Sequence, residues 1–131
     1  MALGNTQKRV LYYTKDHEWI DFQGSVAYVG VSTFKLKGIL QVEQLSFADA
    51  EGLKKKGDTI AKITYDDYEM AIQMPVDGKV ISLNDALLNG SQNLLLQQPE
   101  TTGWIALIVP DKPYEREELI VQEQYQQYTK G

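Results

Sequence analysis

The chain has 131 residues, 43% apolar and 24% charged, the make-up of one globular domain able to bury a core without metals or disulfides. Thirteen basic against eighteen acidic residues leave a net charge of -5, which argues against nucleic acid as a partner because a phosphate backbone demands a concentrated basic face. There is no cysteine, so disulfides and thiolate chemistry are excluded, and no apolar run suits a secretory core or a bilayer span; a cytoplasmic protein with no membrane partner is expected.

In chain order, the first residues are polar apart from Val10-Leu11-Tyr12, and 1–11 are expected to form a flexible segment ahead of one domain over 12–131. Glu18 to Phe22 reads as a strand, Gln23-Gly24 as a turn and Ser25 to Val31 as the returning strand. Gly30 within it marks a bulge or a close backbone approach. Thr33 to Lys37 fits one helical turn, with Ser32 as N-cap and Gly38 as its stop. Ile39 to Leu45 shows an impure period of two, predicting a strand with Leu40 and Val42 on one face. Residues 48–56 are expected to be a loop with a helical turn, closed by Gly57-Asp58.

The next stretch, ITYDDYEMAIQMPVDGKV, is the most informative. A two-residue turn at Asp66-Asp67 sets Tyr65 opposite Tyr68, Ile63 opposite Met70 and Ala61 opposite Ile72, which makes one face of the hairpin apolar. Lys62, Thr64, Glu69, Ala71 and Gln73 then share the other, polar face. A slip of one residue scrambles this separation, so the pattern fixes the register. Met74 to Gly78 reads as a turn, Lys79 to Leu83 as a strand, and Asn84 as the cap of a helix through about Leu88. Leu94-Leu95-Leu96 precedes a loop, Trp104 to Val109 is predicted as the last strand, and Tyr114 to Tyr128 has helical composition with Leu119, Ile120, Tyr125 and Tyr128 as its docking stripe. Many short strands with one terminal helix indicate a mainly β barrel or sandwich.

The catalytic inventory is thin. His17 is the sole histidine and has no evident serine partner, so it reads as structural or solvent-facing, and no phosphate loop or dinucleotide fingerprint appears. Asp66, Asp67 and Glu69 crowd carboxylates at one turn without the spaced ligand series of a calcium loop, so no metal is expected; they are a candidate interaction surface instead. Tyr65 and Tyr68 read as a core-facing pair, and Lys54-Lys55-Lys56 as a solvated loop. Nothing marks an enzyme.

Several segments together resemble a known family. Tyr13-Thr14-Lys15-Asp16-His17-Glu18-Trp19 is similar to the opening Y-T-x-D/E-H-E-W of the glycine cleavage system H proteins. Val29-Gly30-Val31-Ser32, Pro75-Val76-Asp77-Gly78-Lys79-Val80, and Asn84-Asp85-Ala86-Leu87 with Leu94, Pro99 and Gly103-Trp104-Ile105 follow in the family's order and spacing. The resemblance implies a lipoyl-domain-like barrel-sandwich hybrid with short helices and a C-terminal helix. It also implies lipoate on a hairpin-tip lysine, within E-S-x-K, that shuttles an aminomethyl group between the enzymes of glycine cleavage.

That lysine lies eight residues before the family's proline, which here is Asp67, while the motif's glutamate and serine fall on Thr64 and Tyr65. The segment Phe34 to Gly38 is also about two residues shorter than the family's helix. The expectation is a degenerate, non-lipoylated accessory or binding protein without a cofactor. Its partners would be proteins, glycine cleavage or lipoate-handling enzymes among them. The alternative is a working lipoyl carrier modified at another lysine, with Lys62 the nearest.

Overall fold

A computed structural model describes residues 9–47 and 51–129. Among these, β2 (Glu18–Gln23) and β3 (Val26–Val31) form the hairpin expected around Gln23-Gly24, paired from Glu18–Val31 to Gln23–Val26. They sit at the centre of a seven-stranded antiparallel sheet. The order is β10 (Ile120–Val121), β1 (Tyr12–Tyr13), β2, β3, β9 (Ala106–Pro110), β8 (Gly78–Leu83) and β5 (Gly52–Lys54). A second sheet has three strands, in the order β4 (Gln44–Ser46), β6 (Thr59–Tyr65) and β7 (Tyr68–Gln73). Helices α1 (Asp85–Leu88) and α2 (Leu94–Gln97) close one flank, and α3 (Gln122–Tyr128) ends the fold. No helix of the described residues is long and apolar enough to cross a membrane.

Alternation along β2 explains how the layers hold together. Ile20 faces the main core with Val29, Ile60, Ile63, Ile72, Val80 and Ile108, contributed by both sheets. Trp19 faces the opposite way and packs with Leu11, Tyr13 and Tyr125, so the large sheet is covered on its second face by the C-terminal helix and the chain start. Tyr13 and Tyr125 stack with ring centroids 3.8 Å apart, and the Trp19 indole donates to the Pro99 carbonyl at 2.9 Å. A Cβ on Gly30 would lie 2.7 Å from the Trp19 ring; of the two readings of that glycine, close approach is the one observed.

Other expectations need correction. Residues 39–43 are not a strand: Ile39 and Val42 are both buried while Leu40 is 93% exposed, a three-residue spacing, and pairing begins only at Gln44. The Val42 carbonyl is satisfied by the Gln92 side chain instead of a neighbouring strand. Gly52–Lys54, expected as loop, pairs with β8; its lysine-rich edge character hid it. Residues 48–50 of that loop lie outside the described residues.

The last strand is not Trp104 to Val109 but β10, where Ile120 and Val121 pair with Tyr13 and Tyr12. This leaves helix only from Gln122, so the stripe is split: Tyr125 is buried, Leu119 and Ile120 are half-buried before the helix, and Tyr128 is exposed. Of the segment expected to be loose, residues 1–8 lie outside the described residues, Leu11 is buried, and the Arg9 guanidinium pairs with Asp21 at 3.0 Å.

Asn84 behaves as read. It accepts from the Ala86 N–H at 3.1 Å and donates to the carbonyls of Thr102 and Trp104, tying α1 to the loop before β9.

Candidate functional site: the β6–β7 hairpin

The register of β6 and β7 is the one the sequence predicts: Tyr65 opposite Tyr68, Ile63 opposite Met70, Ala61 opposite Ile72. Asp66 and Asp67 take φ of 46° and 67°, the double left-handed geometry of a type I′ turn, which matches the right-handed strand twist and which Asp tolerates less well than Asn or Gly. Ile63 and Ile72 anchor the hairpin in the main core, and apolar burial then falls off toward the apex. Tyr65 is half-buried, whereas Tyr68 is 66% exposed with its ring 5.9 Å away. The tyrosines are therefore opposed, as read, but only one of them reaches the core.

Asp66, Asp67 and Glu69 are all exposed. Lys62 lies on the polar face of β6, opposite Ala71, with its ammonium 3.6 Å from the Glu69 carboxylate and both side chains largely in water. The apex projects as a convex turn. A cleft of about 440 Å³ opens elsewhere, between the 33–39 segment and α3, lined by Tyr13, Phe34, Leu36, Glu100 and Tyr125. Among the described residues, no three His, Cys, Asp or Glu side chains converge as a metal site.

Sequence reasoning missed the other end of the hairpin. The Glu18 side chain is 2% exposed, between the two sheets. It accepts from the Thr14 hydroxyl at 2.8 Å, from the Lys35 ammonium at 2.8 Å and from the Gln73 N–H at 3.2 Å. Lys35 also donates to the Ala71 carbonyl at 3.3 Å. One buried ion pair thus bolts β7 to β2 and to the 33–38 turn. The signal was an acid at the start of a strand whose next three residues are all buried, opposite a lysine in a turn. Only three-dimensional contact pairs them.

His17 is structural, as read. Its Nδ1 lies 2.7 Å from the Tyr125 hydroxyl, which also meets Ser32 Oγ at 2.8 Å, and its ring packs against Phe34. Burial, then the nearby Lys35 charge, lowers the pKa of the imidazole below its ordinary value. Burial raises that of the Tyr125 hydroxyl. In the lysine run, Lys54 belongs to β5, and Lys56 pairs with Glu118 at 2.6 Å, both exposed.

Comparison with known proteins places this architecture. The family model described as glycine cleavage H-protein matches residues 11–131. The glycine cleavage system H protein of Bartonella quintana is 35% identical over 98 residues, covering 72% of this chain and 77% of that protein. Glycine cleavage system H protein 4 of Aquifex aeolicus is 29% identical over 119 residues, covering 91% of this chain and 69% of that one. A crystal structure of a glycine cleavage system H protein from Mycobacterium marinum has a TM-score of 0.78, covering 95% of this chain and 100% of that one; at 17% identity the likeness is one of fold. The two-sheet arrangement is consistent with a barrel-sandwich hybrid, and the family comprises carrier proteins, not catalysts. The chain belongs to the glycine cleavage H-protein family.

Proposed function

We propose that this chain is an H-protein scaffold that carries no lipoyl group and acts as a non-catalytic binding protein, with glycine cleavage or lipoate-handling enzymes as its partners in a cytoplasmic setting. The observation that carries the reading is the apex itself: the turn where the family's resemblance puts a modified lysine holds Asp66 and Asp67. Attaching lipoate means forming an amide between its carboxyl group and an ε-amine. A carboxylate side chain offers no nucleophilic nitrogen, so the apex does not fit the group. The acidic face formed by Asp66, Asp67 and Glu69 is the interaction surface in this reading.

A second reading rests on Lys62, whose side chain is about half exposed on the same hairpin. It lies back within β6, level with Ala71, and is engaged with Glu69, so an arm built there would leave from the flank of the hairpin. Intact mass after co-expression with a lipoate ligase and added lipoate decides between the two. The expected result is the unmodified mass. A lipoyl-sized increment overturns the proposal, and a peptide map placing it on Lys62 establishes the second reading.

A further inference from the structure

We propose that the outer half of β7 is a docking edge, adding an extended basic segment of a partner protein as the next strand of the β4-β6-β7 sheet. The inference rests on the reading of the chain as a binding protein and names the partner chemistry of the same hairpin.

Among the described residues, β7 is the terminal strand of its sheet. In a hairpin closed by a two-residue turn, the pair flanking the turn is hydrogen-bonded, and bonded pairs then alternate with unbonded ones. Tyr65–Tyr68, Ile63–Met70 and Ala61–Ile72 are the bonded pairs, so the backbone groups of Glu69, Ala71 and Gln73 point away from β6. Two side chains bear out that direction and stopper the edge at its base: Lys35 donates to the Ala71 carbonyl, and the Gln73 N–H donates to Glu18. Beyond them the edge is open. Among the described residues, the N–H and carbonyl of Glu69 and the N–H of Ala71 make no hydrogen bond, and Tyr68 and Glu69 are exposed. Such a row is a template for an added strand.

Charge selects the occupant. Asp66, Asp67 and Glu69 against Lys62 leave the outer hairpin at -2 on a chain of net charge -5. A second copy paired edge to edge would set these acids against each other, whereas a basic segment is drawn in.

The probe is a short synthetic peptide alternating lysine and valine, titrated by calorimetry into the full chain, beside its glutamate counterpart and a version N-methylated on the amides of one edge. Ala71→Pro removes an N–H that the hairpin does not use and keeps the carbonyl that Lys35 bonds. We expect the lysine peptide to bind and the glutamate peptide not to. Ala71→Pro and N-methylation should each weaken binding about tenfold, the scale of a lost backbone hydrogen bond or two. Replacing Asp66, Asp67 and Glu69 by their amides should weaken binding and flatten its salt dependence.

Failure of the lysine peptide to bind overturns the proposal, as does binding indifferent to N-methylation, which would be attraction to the acidic turn alone. A dimer in sedimentation that Ala71→Pro dissolves also overturns it, in favour of a second copy. If Ala71→Pro lowers the melting temperature, the N-methylated peptide alone decides. A lipoyl mass increment would defeat the functional reading without touching these titrations, and loss of peptide binding would defeat the edge without touching the mass.

Discussion

The two ends of the β6–β7 hairpin both depend on carboxylates, and the surroundings give them opposite roles. At the base, Glu18 is sealed between two sheets and meets an ammonium, a hydroxyl and a backbone N–H, so that both carboxylate oxygens have a partner. At the apex, Asp66 and Asp67 stand in solvent on a left-handed turn and hold nothing else in place. A buried charge is costly to remove once its partner stays behind, whereas an exposed one contributes little to stability and is free to meet other molecules. The base therefore belongs to the fold, while the apex is free of structural duty, as the proposed interaction surface requires.

The largest effect that would test this contrast is at the base. Glu18→Ala should lower unfolding stability by about 3–5 kcal/mol in urea titrations, because Lys35 is left half-sealed without its counter-charge. Replacing Glu18 and Lys35 together by Leu and Met should recover most of that loss. A loss under about 1 kcal/mol in the single variant would break the comparison, since ordinary surface changes produce that much.

Gly30→Ala should cost about 1–3 kcal/mol by the same measurement, because the added carbon meets the Trp19 ring on the face opposite Glu18. At the apex the sign reverses: Asp67→Gly relieves a non-glycine residue at φ 67° and should raise stability by about 0.5 kcal/mol.

The smallest effect concerns His17. Its pKa is lowered in the folded chain from an ordinary 6.5, so below that pH the unfolded chain takes up the proton first. Stability should therefore fall as pH drops below 6.5 and level off once the folded imidazole is also protonated. His17→Asn should remove this slope from melting temperatures measured across the range. Lys35→Met should make the slope shallower and narrower, because removing a neighbouring positive charge brings the folded pKa back toward 6.5.

Local pattern carried further in some segments than in others. The β6–β7 register was legible because alternation, turn length and two isoleucines all pointed the same way. The Asn84 cap was legible for a similar reason: capping is a bond between near neighbours in the chain. Residues 39–43 misled because Leu40 and Val42, two apart, mimic a strand face in a short window, while burial instead selects Ile39 and Val42, which plug the core. β5 and β10, each of two or three residues, have almost no period to read, and they are strands only because β8 and β1 lie alongside.

By itself, then, the chain order of residues determined a mainly β domain, the hairpin with its acidic apex, and the lack of an amine there, since all of these follow from side-chain identity and spacing of a few positions. The tertiary structure decided the Glu18–Lys35 bolt, the small edge strands, the splitting of the C-terminal segment into strand and helix, and which backbone groups of β7 stay open. These depend on contacts between residues far apart in the chain, whose burial and partners no local pattern encodes.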